Sequence, residues 1–136
     1  MKDRKQLFST LWVCAVLNYL YCDVMSLMEA NLLRQYLTGT VEGIHMTQGL
    51  FLGAAVLMEV SISMVLLSRL LPYRANRFAN IGAGALTTVV QAATLIGTPT
   101  MYYIFFSVME IGCTLAIFVL ALRWKENAEQ PRAEVA

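Results

Sequence analysis

Apolar residues run almost unbroken through four stretches of the chain, residues 8–28, 49–71, 78–96 and 102–124, with polar residues gathered between them. A bilayer core about 30 Å thick takes roughly 20 residues of helix, so each stretch is predicted to be a transmembrane helix. The fold expected is an all-α membrane protein, a four-transmembrane-helix bundle occupying residues 1–128 as a single four-span domain. Between spans 1 and 2, Leu32, Leu33, Tyr36 and Leu37 recur at helical spacing beside Asn31, Arg34 and Gln35, which predicts a short interfacial helix. Gly39 and Gly43 then mark a turn toward the second span. Residues 129–136, with Glu129, Pro131 and Glu134, have nothing to bury and are expected to form a disordered cytoplasmic tail.

Polar positions inside the spans are the informative ones, because an acidic residue near the middle of a membrane helix costs roughly 2.5 to 3.5 kcal/mol on insertion scales. The spans hold Asp23, Glu59 and Glu110. In the third span Gly84, Thr87, Thr88, Gln91 and Thr94 fall at the i, i+3, i+4 spacing of one helical face. Asp23 shares a face with Tyr19 and Ser26, Glu59 with Ala55, Val56, Ile62 and Ser63, and Glu110 with Phe106, Ser107, Cys113 and Thr114. Lipid cannot satisfy such groups, so the stripes are expected to face one another around a polar pocket nearer the outer surface. Glu59, Glu110, Asp23 and Gln91 are the expected proton-exchange or ligand-binding residues. Asn18, Tyr19, Thr87, Thr88, Tyr103, Phe106, Cys113 and Thr114 are the expected lining. For Asn18, Ser61, Ser63 and the threonines the plainer role is hydrogen bonding from helix to helix.

A short internal repeat ties the two glutamates together: Met58-Glu59-Val60-Ser61-Ile62-Ser63-Met64 matches Met109-Glu110-Ile111-Gly112-Cys113-Thr114-Leu115. Both copies lie on helices of the same expected direction, so the chain reads as two parallel-repeat hairpins.

Composition agrees with a membrane setting: 58% of residues are hydrophobic and 14% charged, and the mean hydropathy is +0.60. A net charge of +1 supplies no basic surface for nucleic acid. Nine of the ten basic residues fall in the N-terminal tail, the second connection and the C-terminal tail, so both termini are expected in the cytoplasm. Three cysteines, Cys14, Cys22 and Cys113, follow no metal-ligand spacing, and the lone His45 falls in an outer connection. No metal and no cofactor are expected. Gly49-x-x-x-Gly53 suits close packing within the bundle or in a homodimer, and the motif does not choose between them. Trp12 and Trp124, with Tyr102, Tyr103, Phe105 and Phe106, read as aromatic belts.

The run Asn18-Tyr19-Leu20-Tyr21-Cys22-Asp23, the run Gly53-Ala54-Ala55-Val56-Leu57-Met58-Glu59, and Gly97-Thr98-Pro99-Thr100-Met101-Tyr102-Tyr103 followed by Met109-Glu110-Ile111 resemble a bacterial family of small four-helix inner-membrane proteins of unknown function, DoxX-like in outline. The resemblance implies an inner-membrane location and the four-span fold. In that family a small residue often stands at the position of Cys22, and no reaction is implied.

On these grounds the expected function is binding or proton-coupled transport of a small hydrophobic or cationic compound, or a lipid, drawn from the bilayer, with Glu59 and Glu110 exchanging protons for it. One alternative is a membrane enzyme using paired carboxyls for acid/base chemistry on a lipid-like substrate. The other is an accessory subunit without a ligand.

Overall fold

The computed structural model describes residues 2–97 and 99–125; the tail expected to be disordered, residues 129–136, lies outside them. Helix α1 spans Lys2–Met28, and a short helix α2, Ala30–Thr38, follows it. A two-strand hairpin comes next, β1 Thr40–Val41 and β2 Ile44–His45, and then three long helices, α3 Gln48–Leu70, α4 Tyr73–Thr94 and α5 Met101–Leu122.

The breaks follow local chemistry. Gly39 (φ 78°) closes α2 in the left-handed conformation that glycine adopts without penalty. Glu42 (φ 49°) and Gly43 (φ 82°) are both left-handed, as a two-residue turn between antiparallel strands requires. The Glu42 amide donates to the Gln35 side-chain oxygen at 2.8 Å, which ties the turn to α2. Thr47 caps α3 by accepting from the Leu50 amide at 3.2 Å.

Three of the described helices, α1, α3 and α5, are long and apolar enough to cross a membrane. This overturns the expected four-span bundle with an interfacial helix, because α4 is not apolar enough by the same measure. It starts at Tyr73, ahead of the expected residue 78, and so takes in Arg74, Asn76 and Arg77. These join Asn80, Thr87, Thr88 and Gln91 on a helix whose buried residues are mostly polar or small. Helix α4 is held by its neighbours: it packs along α5 and against α3, while α1 packs against α3 and α5.

The two ends of the molecule differ in packing. At the end bearing the basic residues, Phe8, Trp12, Met64, Ile117, Ala121 and Trp124 form the apolar core. Trp12 is wholly buried and Trp124 nearly so, so neither stands in the aromatic belt expected of it. Trp124 sits between Phe8 and Tyr73, at ring distances of 5.3 and 4.9 Å. A polar network runs beside this core. The Trp12 indole donates to Asn80 Oδ1 at 2.8 Å, Asn80 donates to the Asn76 carbonyl at 2.9 Å, and Asn76 Nδ2 donates to the Ser68 carbonyl at 2.6 Å. Asn76, Asn80 and Ser68 are completely buried, and pairing them offsets a desolvation penalty of about 1–3 kcal/mol for each group left unmet. At the opposite end α3 buries nothing before Ser61. Space opens there between the first half of α3 and the helices facing it.

Candidate functional site

The space left by α3 is a cavity of about 240 Å³, just below the roughly 300–1,000 Å³ typical of sites for drug-sized ligands. Helix α1 contributes Tyr19, Cys22 and Asp23, and α4 contributes Thr87, Val90, Gln91 and Thr94. Helix α5 contributes Tyr103 and Glu110, and α3 supplies Ala54, Leu57, Met58 and Ser61. The walls are largely apolar, with a few polar groups converging on one interior.

Glu110 is the singular member. It is 1% exposed, lines the cavity, and neither carboxyl oxygen has a hydrogen-bond partner. Its neighbours along the buried face of α5 are occupied. Ser107 Oγ accepts from Gln91 Nε2 at 2.8 Å, and Thr114 Oγ1 accepts from Thr88 Oγ1 at 2.8 Å while donating to the Glu110 carbonyl at 3.1 Å. These bonds join α4 to α5 above and below the carboxyl and hold it in place. Helix α4 comes close because Gly84 lacks a side chain: a Cβ there would stand 3.2 Å from the Thr114 carbonyl and 3.3 Å from the Phe118 amide.

The structure therefore brings Tyr19, Asp23, Thr87, Gln91, Tyr103 and Glu110 to one cavity. It places the other expected site residues elsewhere. Glu59 is exposed and does not line the cavity, so the buried carboxylate pair is corrected to a single buried carboxyl; Asp23 borders the cavity but is also exposed. The seven-residue repeat consequently has inequivalent copies. Thr88 and Thr114 bond to each other, Asn18 donates to the Cys14 carbonyl at 2.8 Å, and Phe106 and Cys113 stand outside the lining. The contribution of α3 was missed. Ala54, Leu57, Met58 and Ser61 follow the i, i+3, i+4, i+7 spacing of one face, and Glu59 lies roughly 100° round the helix from Met58.

A second cavity, of about 500 Å³, lies under α2 and the hairpin. Glu29, Gln35, Tyr36, Glu42 and Tyr102 are in its lining, and Thr94 and Tyr103 line both cavities. The Tyr102 hydroxyl donates to Glu29 Oε2 at 2.8 Å, linking α5 to the start of α2. Burial, and after it the charge of Asp23, raises Tyr36 above the ordinary phenol range, so its hydroxyl stays a neutral donor. Among the described residues no group of three or more His, Cys, Asp or Glu is placed to hold a metal ion.

Fold and site together define a helical protein with three membrane-length helices and a small cavity built on one unpartnered carboxyl. The chain belongs to DUF6326, a family of unknown function whose family model matches residues 1–130. No curated protein and no solved structure matches it. The family match carries neither a DoxX-like relationship nor a bacterial source.

Proposed function

We propose that this protein binds a small hydrophobic or cationic compound in the cavity at Glu110 and moves it across the membrane in exchange for a proton. The observation that carries the reading is the pair of buried, unpartnered Glu110 oxygens in an otherwise apolar hollow. A buried polar atom left without a partner costs about 1–3 kcal/mol, and a ligand donor or a proton removes that cost. A lone carboxylate cannot stand in apolar surroundings, so proton and ligand compete for one place, and competition for one place is what couples two flows. The titratable groups around Glu110 are Tyr19, Cys22 and Asp23 from α1 and Tyr103 and Cys113 from α5; α3 and α4 line the cavity without any. The enzyme alternative, acid/base chemistry by paired carboxyls, keeps only Asp23 and Glu110 at the cavity, since Glu59 does not line it.

The basic end is proposed to face the cytoplasm, in a bacterial inner membrane as the resemblance implies. Lys5 donates to the Leu71 carbonyl at 2.7 Å, Arg69 to Ser9 Oγ at 3.0 Å, and Arg77 to the Ala121 and Leu122 carbonyls at 3.0 Å. These contacts gather positive charge at one end, where the positive-inside rule places it in the cytoplasm.

Proteoliposomes enclosing a pH-sensitive dye test the exchange against a panel of small aryl amines and alcohols. The wild type and Glu59→Gln should couple ligand movement to proton movement, and Glu110→Gln should abolish the coupling. Equal coupling in Glu110→Gln and wild type would overturn the reading.

A further inference from the structure

We infer that the ligand is an organic monocation, an ammonium carried on a compact apolar body, and that it reaches Glu110 through the cavity beneath α2 and the hairpin, passing Thr94 and Tyr103. The inference rests on the proposed binding role of Glu110 and names its substrate class and path.

Charge makes the first part of the case. Among the described residues, the lining of the two cavities includes four carboxyl side chains and no lysine, arginine or histidine. Glu42 and Glu29 stand in the cavity under the hairpin, and Asp23 and Glu110 in the one beyond it. The basic residues of the segment between α1 and α3, Arg34 and His45, are exposed on α2 and β2 and line neither. A series of one sign of charge between low-dielectric walls concentrates the opposite sign. An anion would meet repulsion at each stage, and an uncharged compound would leave the charge of the series unmatched.

The inner hollow makes the second part. Its lining surface is mainly apolar, so the occupant needs an apolar body, and a volume of about 240 Å³ keeps it small. Tyr19 and Tyr103 line the same space, and an aromatic ring favours a cation within about 6 Å of its centre. Glu110 at the end of the path, buried with both oxygens unpartnered, is the acceptor for the ammonium N–H. Tyr103 and Thr94 line both cavities, which places them at the junction of path and site.

Two ring compounds of matched size separate the possibilities: benzyldimethylammonium, a cation with one N–H donor, and cumyl alcohol, uncharged with one O–H donor. Binding of each is measured to the full chain in nanodiscs of zwitterionic lipid, with Glu110→Gln, the double variant Glu29→Gln/Glu42→Gln, and Tyr103→Trp alongside. The cation should bind at least about tenfold more tightly than the alcohol and lose about that factor in Glu110→Gln, the size of effect that one charge-assisted hydrogen bond supports. The double variant should slow association several-fold and flatten its salt dependence while leaving dissociation unchanged, the signature of steering. Tyr103→Trp should slow both rates. Cumyl alcohol binding as well as the cation, with Glu110 still required, would overturn the monocation and leave the binding role standing. Unchanged association in the double variant would overturn the path. No Glu110-dependent binding of either compound would overturn both.

Discussion

Glu110 and Glu59 follow a methionine in the same short motif, yet one is buried at the cavity and the other exposed on α3. The difference is angular. On α5 the face shared by Tyr103, Ser107, Glu110 and Thr114 is the packed one, so the carboxyl turns inward with its hydroxyl neighbours. On α3 the packed face is that of Leu57, Met58, Ser61 and Met64, and Glu59 stands to one side of it. Sequence periodicity grouped Glu59 correctly with Ala55, Val56, Ile62 and Ser63, but the assumption that every polar stripe turns inward selected the wrong face. Glu59→Gln is therefore expected to leave benzyldimethylammonium affinity within about twofold of wild type, a surface-scale effect, whereas Glu110→Gln loses about tenfold. Titration of the two purified variants side by side checks this.

Among the elements, α1, α3 and α5 were legible because their apolar runs are dense, while α4 was misjudged because its apolar residues are interleaved with asparagine, threonine and arginine. Those polar residues bind the helix to its neighbours. Asn80 accepts from Trp12 at 2.8 Å and from Ser68 at 3.3 Å, and nothing in a sequence read one helix at a time pairs an asparagine with a tryptophan 68 positions away. Asn80→Ala should strand the Trp12 indole and destabilise the protein by about 1–3 kcal/mol, read as a lowered melting temperature in detergent. Glycines on α4 give a sharper contrast. Gly84→Val would drive its side chain into the α5 backbone at Thr114 and Phe118, at about 1–3 kcal/mol for overpacking. Gly82 has open space where a Cβ would be placed, so Gly82→Ala should be neutral or stabilising by up to about 1 kcal/mol through helix propensity. The same melting experiment on both variants separates close packing of α4 on α5 from a general intolerance of side chains on α4.

Across the whole molecule the apolar core and its polar network lie toward the basic end, and the two cavities that form the proposed path and site lie toward the acidic end. Lys5 and Arg77 cap the carbonyl ends of α3 and α5, where positive charge also meets the negative pole of each helix dipole. The pocket's place toward the end away from the basic residues was legible in the positions of Asp23, Gln91 and Glu110 along their helices. Its α3 wall and the cavity under the hairpin were not, since both depend on how separate elements pack together and not on the period of any one of them. In a cysteine-free background, single cysteines at Thr40 and at Lys125 are expected to be labelled from opposite faces of the membrane, Thr40 outside and Lys125 inside; labelling of both from one face would contradict the proposed placement of the charged ends.

The central claim is that one carboxyl, Glu110, receives the ligand. Solid-state NMR of the full chain in bilayers, with glutamate side-chain carboxyls labelled in carbon-13 and assigned through Glu59→Gln and Glu110→Gln, observes that carboxyl directly while benzyldimethylammonium is titrated in. The account predicts a saturable shift of the Glu110 resonance with the Glu59 resonance unmoved. A Glu110 resonance that stays fixed while the compound binds elsewhere, or a Glu59 resonance that saturates in its place, would contradict it.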